Sequence, residues 1–213
     1  MKQQLAKIQL RLSIVAASLL ALGLALSFAE SAKADVGLFV EPSLTYELGD
    51  TKINYPAPFS DSTGKLQGFG IGARLGMHVS EAIFVGLDGR YSMPKFTDSS
   101  VNYDAAATAM NYGPVVGIQM PDIGLRLWGA YVLGGDVNPD ASGNLDVKMT
   151  GAQGYRLGAG FRVAALSLNL EYQDLRYDST TLEQIGPFTG GSFDSVKLNQ
   201  KSWIASVSFP LEL

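Results

Sequence analysis

His78 is the sole histidine and cysteine is absent, so nucleophilic and transition-metal chemistry have few candidate groups. A lipid-hydrolysing site would need histidine and serine together on a lipid-facing surface, and His78 falls on the opposite, polar face of its segment. The sequence is richer in arginine and carboxylate at alternate positions: Arg74, Arg90, Arg126, Arg156 and Arg162 against Glu41, Asp88 and Glu171. A guanidinium fork holds a carboxylate through paired hydrogen bonds, so the chemistry of such a set is ion pairing. No catalytic residue, metal or cofactor is assigned. Residues 136–146, DVNPDASGNLD, carry oxygens at alternate positions, but Gly143 is misplaced for a calcium loop and no Glu stands at the twelfth position. They read as a solvated acidic loop.

Alternation is what must position these groups. In residues 36–48, VGLFVEPSLTYEL, the even positions are apolar while Glu41 and Glu47 fall on odd ones. Successive side chains of a strand point to opposite faces, so oil and carboxylate separate cleanly. The same period recurs in residues 66–79, 83–91, 106–120, 123–133, 151–163, 166–173 and 202–213, which makes eight strands. Turns near Ser80, Pro121 and Ala164 are two or three residues long. Residues 49–65, 94–104, 134–150 and 178–197 are rich in Gly, Pro, Asn, Asp and Ser and read as long loops. The short turns place Arg74 opposite Asp88, and Arg156 opposite Gln173 and diagonal to Glu171. Pro42 and Pro114 lack an amide for the ladder, so bulges are expected there.

Four features decide which face meets which solvent. The lysines after residue 34 lie in the long connections or at their edges, whereas five arginines lie within strands on the polar face. The polar face is crowded with glycine, which suits the narrow interior of an eight-stranded barrel. Tyr46, Tyr91, Tyr112, Tyr131, Tyr155, Tyr172 and Trp203 cluster on the apolar face toward the long-loop rim, as an interfacial girdle would. The last segment keeps apolar residues at alternate positions to Leu213. The apolar face therefore points to lipid, and Glu41 and Glu47 point into the barrel. Phe39, Phe84 and Trp128 join them there.

The N-terminus supports export. Lys2, Lys7 and Arg11 precede an apolar run, residues 13–29, and the small-residue exit Ala32-Lys33-Ala34. Cleavage after Ala34 is expected, which makes residues 1–34 a signal peptide and 35–213 a single outer-membrane barrel domain. Its removal takes the basic and acidic counts from 16 and 20 to 12 and 19, a net charge of −7 that argues against a nucleic-acid partner.

With its signal segment, eight alternating runs and terminal SVSFPLEL, the chain resembles the small eight-stranded outer-membrane proteins of the OmpA-barrel, OmpX and opacity-protein kind. The resemblance implies an all-β, antiparallel, up-and-down transmembrane β-barrel in the cell outer membrane. It implies lipid and lipopolysaccharide as surroundings, and recognition of the last strand by the barrel-assembly machinery, although Leu213 replaces the usual terminal aromatic. The expected role is structural or surface-interacting, in envelope integrity or adhesion. Four loops would meet an extracellular ligand that the sequence does not identify, and Arg–carboxylate pairs would plug the lumen. The alternative is a narrow porin-like channel for ions or small, even apolar, solutes.

Overall fold

The computed structural model describes residues 37–58, 60–98, 103–120, 122–142, 145–185, 188–193 and 196–213; the expected signal peptide lies outside them. Alternation becomes eight long strands: β1 Leu38–Asn54, β2 Ser62–Ser80, β3 Ile83–Asp98, β4 Tyr103–Met120, β5 in two segments Leu125–Val132 and Gly134–Pro139, β6 Leu145–Val163, β7 Leu166–Ile185 and β8 Lys197–Ser208. Each pairs antiparallel with its sequence neighbours, and β8 pairs with β1, which closes the ring. Leu211–Glu212 prolongs β8 along β1 beyond Phe209-Pro210. A closed ring leaves no strand edge to be satisfied by water, the condition for a sheet to cross a bilayer.

The apolar face is outside. Leu44 is 62% exposed and Phe69 70%, while Phe84 is fully buried and Arg156 is 1% exposed. Along β1 the outward apolar band runs from Leu38 to Leu48. At about 3.4 Å per residue and a tilt near 40° this spans about 26 Å, the height of an outer-membrane hydrophobic band.

The inside must be narrow. A Cβ built on Gly158 would lie 2.2 Å from the Trp128 ring, and one on Gly117 would lie 2.2 Å from the Phe84 ring. Glycine on the facing wall is the space these rings occupy. Gly158→Val is therefore expected to destabilise the barrel by about 1–3 kcal/mol, the usual cost of overpacking; a urea titration of the refolded protein reads it as a lower midpoint.

Three expectations are corrected. First, the long connections are mostly strand. β1 runs on to Asn54 and β2 starts at Ser62; β6 starts at Leu145 and β7 reaches Ile185. The phase of the alternation reverses at the aromatic belt. Below it the outward positions are apolar; above it they are Asp50, Lys52, Lys65 and Asp174, and the inward ones are Ile53, Leu66, Phe96, Val137, Met149, Leu175 and Leu198. A wall with water outside needs oil inside, so strands outside the membrane pack an ordinary apolar core. Second, the expected acidic loop from Asp136 begins as the second segment of β5, with Asp136 opposite Thr150 and 3.5 Å from Lys148; Gly143 and Asn144 lie outside the described residues. Third, Pro42 keeps register with Ala73, and it is β8 that breaks opposite it, at Phe209-Pro210. The irregularity near Pro114 lies on β5, where three residues, Tyr131, Val132 and Leu133, face two, Gly113 and Pro114.

Candidate functional site: the barrel lumen

The lumen is built from one inward residue per pleat of each strand. Arg74 and Asp88 are cross-strand neighbours over the short turn after Ser80, as are Arg156 and Gln173 over the turn at Ala164. Closure of the ring then adds partners from distant strands. Arg126 of β5 reaches across to Glu41 of β1 and donates through both terminal nitrogens at 2.8 Å. Arg74 donates to Glu41 at 3.3 Å and to Asp88 at 3.1 Å, and the Ser208 hydroxyl donates to Glu41 at 2.6 Å. Arg90 of β3 holds Glu171 of β7 at 2.6 Å and Asp88 at 3.3 Å.

Arg156 sits at the centre. It donates to Asp88, to Asn111 and, at 3.1–3.2 Å, to Gln173, and it lies 3.8 Å from Glu171. Above this layer Glu47 accepts from Gln200 at 2.5 Å and from Gln173 at 3.2 Å. Four carboxylates, Glu41, Glu47, Asp88 and Glu171, thus share the lumen with four guanidiniums, Arg74, Arg90, Arg126 and Arg156. Buried charge is tolerated when it is paired and hydrogen-bonded, and here the signs balance.

The network is closed at both ends. Toward the short turns, Phe39, Phe84, Val115, Trp128 and Ala130 form an apolar layer. Its rings also face the cations: the Arg126 guanidinium lies 5.2 Å from the Phe84 centroid and that of Arg74 lies 4.8 Å from Trp128. Toward the outside lies the apolar core of the strand extensions. A cavity within the charged layer, lined by Arg74, Asp88, Arg90 and Glu171 among others, has a volume of about 10 Å³, room for about one water molecule.

The eight residues expected to form the charge network divide. Glu41, Arg74, Asp88, Arg90, Arg126, Arg156 and Glu171 come together; Arg162 does not. It stands at the short-turn rim, one-third exposed, with its guanidinium 3.4 Å from Glu212 and bonded to the carbonyl of Ala164 at 3.2 Å. Its strand ends at Val163, so the side chain lies below the lumen layer. His78 shares this rim, 3.2 Å from Glu212 and 3.4 Å from Gln119. The missed members are neutral: Asn111, Gln173, Gln200 and Ser208. Their inward parity was legible, but amide and hydroxyl partners carry no charge signal. The aromatic residues take the outward face, with the Tyr172 and Trp203 rings 5.3 Å apart and those of Tyr155 and Tyr172 6.4 Å apart.

A closed antiparallel ring, greasy outside at bilayer height and charged within, is a transmembrane β-barrel of the outer-membrane type. The family model for the outer membrane protein beta-barrel domain matches residues 15–209, and the chain belongs to that family, whose members reside in the outer membrane. Among solved structures, the outer membrane protein OprG from Pseudomonas aeruginosa aligns with 84% of this chain and 97% of its own at a TM-score of 0.51 and 8% identity, a likeness of fold. Neisserial surface protein A aligns with 81% of this chain and 96% of its own (TM-score 0.41, 10% identity). The attachment invasion locus protein Ail of Yersinia pestis, in complex with the heparin analogue sucrose octasulfate, aligns with 81% and 99% (TM-score 0.44, 12% identity). A search of curated protein sequences finds no match.

Proposed function

We propose that this barrel is a closed structural and surface-interacting protein of the outer membrane, serving envelope integrity or adhesion through its outer end. The observation that carries the reading is the interior: a balanced ion-pair layer with about 10 Å³ of free volume lies between two apolar layers. Hydrated ions have no continuous path through such a stack. The strand extensions project the outer rim on a rigid wall, which suits a surface that presents contacts to other molecules. The reading includes no catalytic step, and His78 is engaged at the opposite rim.

Planar-bilayer recording of the refolded chain tests this. The expected result is a silent wild type; reproducible unit steps would overturn the closed-lumen reading. They would promote the second one, a narrow channel for ions or small apolar solutes. That reading draws on one feature: pairing between β5 and β6 lapses between Val132↔Gly154 and Asp136↔Thr150, where Gly151 adopts φ +75°. Under it, a pair of cysteines that locks β5 to β6 across this gap would abolish the steps.

A further inference from the structure

Every lysine among the described residues, Lys52, Lys65, Lys95, Lys148, Lys197 and Lys201, stands in the outer half of the wall, beyond the aromatic belt; none lies at the short-turn rim. Three of them converge. On neighbouring strands β8, β1 and β2, Lys201 and Lys65 flank Asp50 directly across the ladder, and Lys52 stands one pleat above on β1. These residues line the largest groove described on the wall, about 1110 Å³, together with Thr63 and Asn199. The Lys201–Asp50–Lys65 row lies two residues above Trp203 and Leu48, which is about 5 Å along the membrane normal. Below it the wall is wholly apolar, with Tyr46 and Phe69 in ring contact at 4.7 Å.

We infer that this groove seats the phosphorylated sugar headgroup of an outer-leaflet glycolipid of the lipid A type. The acyl chains lie along the apolar wall beneath, and the phosphate meets Lys65 and Lys201. The inference rests on the outer-membrane location and is independent of whether the lumen conducts. Depth supports it: ammonium groups one step above an aromatic belt stand at headgroup height, where lysines attract anionic lipid. Charge state supports it as well. Lys52 is paired with Asp61 at 2.8 Å and Lys201 loosely with Asp174 at 3.7 Å, whereas Lys65 enters no ion pair among the described residues. The hydrogen bond from Lys52 holds the exposed Asp61 carboxyl below its ordinary range. Asp104 is taken by Lys95 at 2.9 Å, which leaves Asp50 as the carboxylate opposing an incoming phosphate.

The sign of the Asp50 effect makes a sharp test. Refolded barrel in detergent micelles is incubated with bisphosphorylated lipid A, and bound lipid is counted by native mass spectrometry. Wild type is expected to retain one lipid A. Lys65→Gln with Lys201→Gln is expected to weaken retention about 10- to 30-fold. Lys65→Arg with Lys201→Arg should keep it, and Asp50→Asn should tighten it. Lys148→Gln, outside the groove, should change nothing. Folding of each variant is read from its heat-modifiable gel mobility. Equal retention by the double Gln variant overturns the proposal. So does equal loss in Lys148→Gln, which would mean a diffuse basic ring, and so does phosphatidylglycerol retained as well as lipid A, which would mean no headgroup selection.

Discussion

Arg156→Ala is expected to lower the unfolding free energy of the barrel by about 3–5 kcal/mol, read as a lower urea midpoint and a lower temperature of heat-modified gel mobility. Arg156 is buried, and its five donors serve Asp88, Asn111 and Gln173 while its charge faces Glu171 at 3.8 Å. Alanine leaves Asp88 and Glu171 sharing Arg74 and Arg90, with one cation too few for the enclosed carboxylates. The substitution also empties the centre of the plug, so bilayer recording of the variant should show openings that the wild type lacks. An unchanged melt would mean that water already fills the lumen and screens the pair.

Glu41→Ala is expected to cost a similar amount, for the mirror reason. Glu41 takes both terminal nitrogens of Arg126 at 2.8 Å and one of Arg74 at 3.3 Å. Its loss leaves the Arg126 guanidinium, 2% exposed, facing only the Phe84 ring. The pair is the better test of mechanism. Combining Glu41→Ala with Arg126→Met should recover much of the loss, because removing both charges removes the uncompensated desolvation that either single change exposes. Strictly additive losses in that double-mutant cycle would show that the two residues act through separate contacts. Chemical unfolding of the four proteins, in the same detergent and salt, supplies the cycle.

The pairs that were legible beforehand are those joined by short turns. Arg74 opposite Asp88 needs only the two-residue turn after Ser80, and Arg156 opposite Gln173 only the turn at Ala164, because a tight turn fixes register locally. The partners across the lumen were not legible. Arg126 and Glu41 are 85 residues apart, and Arg90 and Glu171 are 81 apart. Only ring closure, with its stagger of strand heights, brings those side chains to one level. The same stagger carries Arg162 below the layer to Glu212, although its parity matches that of Arg156. The groove on the outer wall was equally hidden, since Lys65, Asp50 and Lys201 become neighbours only when β8 closes on β1.

What the sequence determined by itself is the period, the number of strands and the two faces of each membrane-crossing segment, because alternation of side chains is a local property of extended backbone. What only the tertiary structure decided is where that rule changes sign. From Asp50 on β1 and below Gln67 on β2, polar residues face out and apolar ones face in, so the same period describes a wall standing in water. Read along the chain, those segments look like loops, since their Asp, Asn, Gly and Lys are visible while the solvent is not. The height of each residue relative to the bilayer is set by the closed ring, and that height decides whether a strand buries its oil or its charge.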